Sequence, residues 1–347
     1  MYQLSGFGSR WRVTTTREAA DRLAELVDGY LATQLLYVAA ELGLADALAG
    51  RPSTAAEAAA GCGADPSVLE RVLRGLAAHG VLDDRSDGRF ALTEVGELLR
   101  ADHPRSMRGT VLARGRLYYA ALAGLLDATR TGGTPFEIVH GNPFFAHLSA
   151  HPAQSADFQA SMLARSRREV AAVVAAYDFA GFDHLVDVGG GSGLLLGAIL
   201  DACPGLSGTL FDRPEVVEGA ALPSVGGDFF VEVPAGADAY LLSRVLHDWD
   251  DDEALTILRS CRRAMPEHAT LLLVEALLPE RAADDPAAVR MDLHMLALLH
   301  GRERTRAEFA ALLAAAGLRL GGVVDTSAGV SVLEARPGPA APGAPRG

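Results

Sequence analysis

The stretch from His184 to Leu200, HLVDVGGGSGLLLGAIL, restricts the fold more than any other part of the chain. A short apolar run ends on Asp187, a cluster of glycines follows, and a second apolar run starts at Leu194. Strand, bare turn and helix in that order open an α/β unit, whose ligand sits beyond the carboxyl end of the strand. Further strand-bearing runs follow: GTLFD, DAYLLSRVLHDW, ATLLLVEALLP, LRLGGVVDT and GVSVLEARP. Helical stretches such as DDEALTILRSCRRAM and TRAEFAALLAAAGL separate most of them. This alternation predicts a doubly wound, mostly parallel sheet. The last two runs follow each other closely and are expected to form an antiparallel hairpin, so the sheet ends on an antiparallel strand.

The N-terminal part has a different texture. YLATQLLYVAAELGLADALA repeats apolar residues every three or four positions, with Gly43 ending a helix. Ser53 and Asp65-Pro66 are helix starts, and GVLDDRSDGRFALT is a hairpin turning at Asp87-Gly88. Helices followed by such a hairpin make a winged helix. DNA binding by this module is disfavoured, because residues 51–100 carry six Arg against eight Asp and Glu, and the second helix offers only Arg71 and Arg74. A packing module for dimerisation is the preferred reading. The expected organisation is an unsettled segment 1–15, a winged-helix domain 16–103, a helical, substrate-lining segment 104–180, a catalytic α/β domain 181–336 and a Pro/Gly-rich tail 337–347.

A net charge of −13 argues against nucleic acid or an anionic membrane as the main partner. Three scattered cysteines fit a reducing compartment, and no run approaches the roughly 18 apolar residues of a membrane span. A cytoplasmic protein is expected.

What the glycines hold depends on their spacing. From Asp187 it reads D-x-G-x-G-x-G, through Gly189, Gly191 and Gly193. The window from Gly189 ends on Leu194, so the dinucleotide pattern G-x-G-x-x-G fails, and no Lys-Ser/Thr follows to make a phosphate loop. A turn with so few side chains lets a ligand lie on bare backbone. Asp212, at the tip of the next strand, is placed to accept hydrogen bonds from a ribose diol.

LVDVGGGSG, FDRPEVV, GDFF, LLSRVLHDWDDDEALTIL, LLLVEALLP and MDLHMLALLHGRERTRAEFAALL occur in order, and together they resemble the S-adenosylmethionine-dependent small-molecule O-methyltransferases, of the plant caffeate and flavonoid type and the bacterial aromatic-polyketide type. The likeness covers roughly residues 20 to 336. It implies a Rossmann-like methyltransferase sheet behind an N-terminal, all-α winged-helix domain that makes a homodimer, with S-adenosylmethionine as cofactor. It also implies cofactor contacts from Asp187, Gly189, Gly191, Asp212, Asp228, Phe229 and Ser243, where some relatives carry Lys at the last position. Asp228 would meet the adenine amino group and Phe229 would cover its ring.

The implied reaction moves a methyl group to a phenolic hydroxyl of a small aromatic molecule from secondary metabolism. Such a transfer needs the acceptor oxygen aligned and its proton removed, and alignment alone contributes roughly 7–11 kcal/mol. His247, in SRVLHDWDD, is the base candidate. A phenol near pKa ~10 and an imidazole near ~6.5 leave the transfer uphill by about 5 kcal/mol. A neighbouring carboxylate narrows that gap and fixes the tautomer. By family position Glu275 and Glu303 both orient His247. Asp248 either shares that work at the substrate or caps the following helix. By family position Phe158, Met162, Met295 and Leu299 are expected to line the acceptor pocket, although periodicity alone favours core packing for each. No metal is expected: Asp292, His294 and His300 are close in sequence, but on a helix the two histidines point about 240° apart. The rival readings are a cofactor-binding relative performing hydroxylation or decarboxylation, a winged-helix regulator, and a nicotinamide dehydrogenase.

Overall fold

The computed structural model describes residues 16–338, so the expectations for 1–15 and for most of the tail lie outside the described residues. The chain divides into two compact units after Arg116.

The first unit runs through α1 (Thr16–Val27), α2 (Gly29–Glu41), α3 (Leu44–Ala47), α4 (Ala55–Cys62) and α5 (Pro66–Ala78), then the hairpin of β1 (Leu82–Asp84) and β2 (Phe90–Leu92), and ends with α6 (Glu94–Glu97) and α7 (Arg108–Ala113). Leu69, Leu73 and Leu76 form one buried stripe of α5 and pack with Leu44, Ala58, Val81 and Phe90. Burying each such leucine is worth about 1.5–3 kcal/mol. Asp65 caps α5 ahead of Pro66 as expected. The start of α4 lies one residue later than expected: Thr54, not Ser53, is the cap, in a reciprocal box with Glu57, because Ser53 is taken up in a bridge with Phe90. The unit also reaches beyond the expected boundary at 103. The reason is α7, whose Arg108 Nε donates to the Ala40 carbonyl (3.1 Å), and the ion pair of Arg116 with Glu41 (2.6 Å) just after it.

The second unit begins with α8 (Tyr119–Ala121), α9 (Leu125–Thr131), α10 (Pro135–His140), α11 (Phe144–Ala150) and the long α12 (Pro152–Ala176). The α/β part follows with β3 (His184–Val188), α13 (Leu194–Ala202), β4 (Ser207–Asp212), α14 (Pro214–Val217), β5 (Ser224–Gly226), β6 (Ala239–Ser243) and α15 (Asp251–Ala264). It closes with β7 (Thr270–Glu275), β8 (Leu277–Leu278), α16 (Pro286–Leu298), β9 (Arg304–Thr305), α17 (Arg306–Ala315), β10 (Leu318–Asp325) and β11 (Ser331–Pro337). Seven strands form one sheet in the order β10-β11-β7-β6-β3-β4-β5, and β8 pairs with β9 alone. Neighbours from β7 to β5 are parallel; β11 is antiparallel to both β7 and β10. The antiparallel hairpin is therefore present, with its second strand inserted beside β7. β11 extends to Pro337, one residue into the expected tail.

Alternation explains the two cores. Val186, Tyr240, Leu242, Leu271 and Leu273 face Ile257, Leu258 and Phe309, while Leu185, Leu241, Leu272 and Val274 face Val173, Leu196 and Ile199. Both faces are covered, as a parallel sheet requires. The register aligns Val188 with Phe211 and Ser243 with Val274, so Asp187, Asp212, Ser243 and Glu275 all come to the same edge of the sheet.

Candidate active site

At that edge the chain leaves β3 through a turn in which Gly189, Gly191 and Gly193 have φ of 72°, 59° and 74°. Alternate residues must be left-handed, which accounts for the every-second-residue spacing. Gly189 N–H donates to the Phe211 carbonyl (2.7 Å) and Gly191 N–H to Asp212 Oδ2 (2.8 Å), so the turn is tied to the tip of β4. Asp187 lies buried against the turn, where a Cβ on Gly190 would overlap its carboxylate. Neither of its oxygens has a hydrogen-bond partner, and burial, helped by the Asp212 charge, pushes its carboxyl up to about 7. A cavity of about 700 Å³ opens in front, lined by Asp187, Gly189, Gly191, Ser243 and Val274 and by Phe158 and Met162 of α12. A bare-backbone floor over an unpaired buried carboxylate fits a cationic nucleoside.

Three residues beyond Ser243, the chain makes a tight turn that carries His247. Glu275, at the end of β7, accepts the N–H groups of Val245 (3.1 Å) and Leu246 (2.9 Å) on one oxygen. Arg304, itself fully buried, donates to the carbonyls of Leu246 (2.8 Å) and Trp249 (2.9 Å) and to Asp251 (2.8 Å). Arg244 enters this turn at φ 57°, the one non-glycine residue with positive φ among the described residues. Such strain persists only where the surroundings over-determine it, most often at functional sites.

The imidazole of His247 is buried, with Nδ1 3.1 Å from Glu303 Oε1 and Nε2 3.4 Å from Asp248 Oδ1. Burial and the Arg244 charge pull its pKa down, but Asp248, Glu275 and Glu303 outweigh them and hold it above the ordinary value. The two glutamates differ. Burial also works to raise Glu303, yet the His247 hydrogen bond and Arg244 bring it below the usual range, whereas Glu275 is driven up by burial. Glu303 is the charged partner of the ring. Glu275 makes no hydrogen bond to the imidazole and acts on it through the backbone of the turn, so of the two glutamates expected to orient His247 only Glu303 bonds the ring.

Other expectations divide as clearly. Asp250, not Asp248, caps α15, and Asp248 faces His247 instead. Phe158 and Met162 line the large cavity, but Met295 is core and Leu299 lines neither this cavity nor the smaller one beside it; Met291, one turn earlier on α16, lines the smaller one. Asp228 accepts the Phe230 N–H, and Phe229 packs on Phe230 and Trp249 within reach of Gly189. His300 is not helical, since α16 stops at Leu298; it meets Thr134 and Glu137, while Asp292 accepts the Glu303 N–H and His294 packs on Tyr118. Ligand atoms of His247, Glu275 and Glu303 lie within 4.8 Å of one another, a spacing a metal could use. Arg244 already brings a cation there, with Nη1 3.2 Å from Glu303 and 3.9 Å from Glu275.

Comparison with known proteins gives this arrangement its family. An O-methyltransferase domain matches residues 119–319, and an O-methyltransferase dimerisation domain matches residues 24–102. The chain belongs to the O-methyltransferase family. Among its relatives is a phenazine O-methyltransferase of Lysobacter antibioticus, 44% identical over 91% of this chain and 95% of that protein. The structure of a mitomycin 7-O-methyltransferase superposes with a TM-score of 0.85 at 36% identity, covering 92% of this chain and 98% of that one. An O-methyltransferase from neocarzinostatin biosynthesis, solved with S-adenosylmethionine and 2-hydroxy-5-methyl naphthoic acid, superposes with a TM-score of 0.76 at 37% identity over 88% and 96%. This O-methyltransferase thus has the mixed α/β fold of its family, with a mostly parallel sheet and an N-terminal helical dimerisation domain. Sequence reasoning missed Arg165, Arg244, Gly301 and Arg304. Only Arg244, beside the histidine motif, carried a local signal.

Proposed function

We propose that this protein transfers a methyl group from S-adenosylmethionine to a phenolic hydroxyl of a small aromatic natural product. When bound, the cofactor supplies an electrophilic methyl group on a positively charged sulfur. Asp187, Gly189, Gly191, Asp212 and Ser243 would hold it, with Asp228 and Phe229 at the adenine end. The buried Asp187 charge favours a cationic guest over a phosphorylated one.

His247 acts as general base. Glu303 takes the Nδ1 proton in its hydrogen bond, which leaves the Nε2 lone pair to accept the acceptor proton. The imidazolium that forms is then flanked by two carboxylates, Glu303 and Asp248. In the structure Asp248 covers Nε2, so the acceptor hydroxyl must come up beside that carboxylate or take its place. The observation that carries this reading is the Glu303–His247–Asp248 line, in which Glu303 and His247 are buried and Asp248 is partly exposed. Its histidine turn follows Ser243 and Arg244, which line the cavity at the glycine turn.

The same reading makes the protein a homodimer through its first unit and a cytoplasmic enzyme. Among the described residues no helix is long and apolar enough to cross a membrane. Incubating the protein with isotopically labelled S-adenosylmethionine and a panel of phenols, with products read by mass spectrometry, tests the assignment. A labelled methyl ether together with S-adenosylhomocysteine is expected. Hydroxylated or decarboxylated products without methyl transfer would assign the site to other chemistry.

A further inference from the structure

A second cavity of about 300 Å³ is lined by Arg165, Arg168, Arg244, Glu169, Asp285 and Met291, among others. Arg244 and Glu169 also line the cofactor-side cavity, so the two spaces share a wall next to the histidine turn. Arg244 is 11% exposed in its side chain, and neither its Nε nor its Nη1 makes a hydrogen bond, even though Nη1 stands 3.2 Å from a Glu303 oxygen. Arg165, on α12, places Nε 3.4 Å from Glu169 and Nη1 3.2 Å from the Met291 sulfur, a weak acceptor. After burial, the Arg244 charge is the largest cause that lowers the Arg165 pKa, so the two guanidinium groups repel each other. Arg244 is thus a largely buried cation with idle donors, and Arg165 beside it has only a weak acceptor for its Nη1. An anion between them would satisfy both, since a guanidinium fork matches a carboxylate.

We propose that this cavity receives a carboxylate carried on the aromatic acceptor, held by Arg244 and Arg165, so that the enzyme selects hydroxyaryl acids over neutral phenols. The inference rests on the methyl-transfer reading above. The same chemistry could come from the methionine carboxylate of the cofactor, but Arg165 and Arg168 line the smaller cavity and not the one at the glycine turn. Arg244 thereby serves as a strained hinge post: paired to Glu303 on one side, it leaves donors for the acceptor on the other.

The test is calorimetric titration of the full-length protein saturated with S-adenosylhomocysteine. The ligands are ring-matched pairs, each a hydroxyaryl carboxylic acid and its carboxamide, on one-, two- and three-ring scaffolds. At least one acid should bind about 10- to 100-fold more tightly than its amide, as charge-assisted bonds allow. Arg165→Gln should abolish that preference while leaving S-adenosylhomocysteine affinity unchanged. No preference for the acid in any pair would overturn the proposal, and so would a preference that survives in folded Arg165→Gln. Loss of S-adenosylhomocysteine affinity in that variant would assign the arginines to the cofactor's carboxylate and overturn it too. Should Arg165→Gln not fold, the acid-to-amide ratio of the wild-type protein decides alone. Failure of the wild-type protein to bind S-adenosylhomocysteine at all would instead strike the methyl-transfer reading.

Discussion

Asp187 shows what a single buried charge costs and what it is for. An aspartate ordinarily titrates near 3.9, and here burial takes it to about 7. Between those values the folded protein keeps a proton that the unfolded chain has released, so stability falls as pH rises across that window. The cost reaches about 4 kcal/mol above pH 7. A bound cation favours the charged form and offsets it. Thermal melts of the cofactor-free protein between pH 5 and 8 should therefore lose stability relative to Asp187→Asn as pH rises. Parallel curves for the two proteins would show that Asp187 is not the strained group. Asp187 and His247 were legible in the sequence because each stands where a strand-like run gives way to a turn at the ligand edge. Arg244 stood beside the histidine motif, but its pairing was not legible, because Glu303 comes from a distant loop.

At the scale of elements, the site is a pair of loops held in close register. The turn after β6 carries the histidine and the loop after α16 carries its glutamate, 56 positions away. Gly301 is where they touch: a Cβ there would overlap the His247 carbonyl oxygen and the Asp248 backbone. Gly301→Ala should push the loop outward and lower kcat by about tenfold or more, since small misplacements of a catalytic group are costly. Affinity for S-adenosylhomocysteine should hold, because the glycine turn is untouched. An unchanged kcat would show that the loops do not depend on this approach. The doubly wound, mostly parallel character of the sheet could be read from the alternation of strand and helix, and so could the hairpin of β10 and β11. The insertion of β11 beside β7 and the clamp of Arg304 on the histidine turn are tertiary choices. They depend on which elements meet, and periodicity within one element does not carry that.

For the whole molecule, the charge balance and the family of the first unit point the same way. Leu23, Leu26, Val27, Tyr30 and Leu31 of α1 and α2 are exposed, an unusual concentration of apolar side chains on a chain with net charge −13. The proposed dimer would cover them. Sedimentation velocity should give a dimer for the wild-type protein and a monomer for the double variant Leu26→Asp/Leu31→Asp. A dimer that survives both substitutions would place the interface elsewhere. The expected boundary at 103 agrees with the dimerisation-domain match, which ends at residue 102, while the compact unit runs on to Arg116 because α7 is bonded to α2.

The claim on which the proposed chemistry rests is that His247 removes the acceptor proton under the control of Glu303. Single-turnover methyl transfer, followed against pH in wild-type, Glu303→Gln and His247→Ala proteins with one phenol that the wild-type enzyme methylates, addresses it most directly. The wild-type rate should rise along a limb above pH ~6.5, because the surrounding carboxylates raise the imidazole pKa. Glu303→Gln should move that limb to lower pH, and His247→Ala should lose it together with about 10²–10⁴ of the rate, at unchanged S-adenosylhomocysteine affinity. A His247→Ala protein that keeps both the limb and the rate would contradict the general-base role.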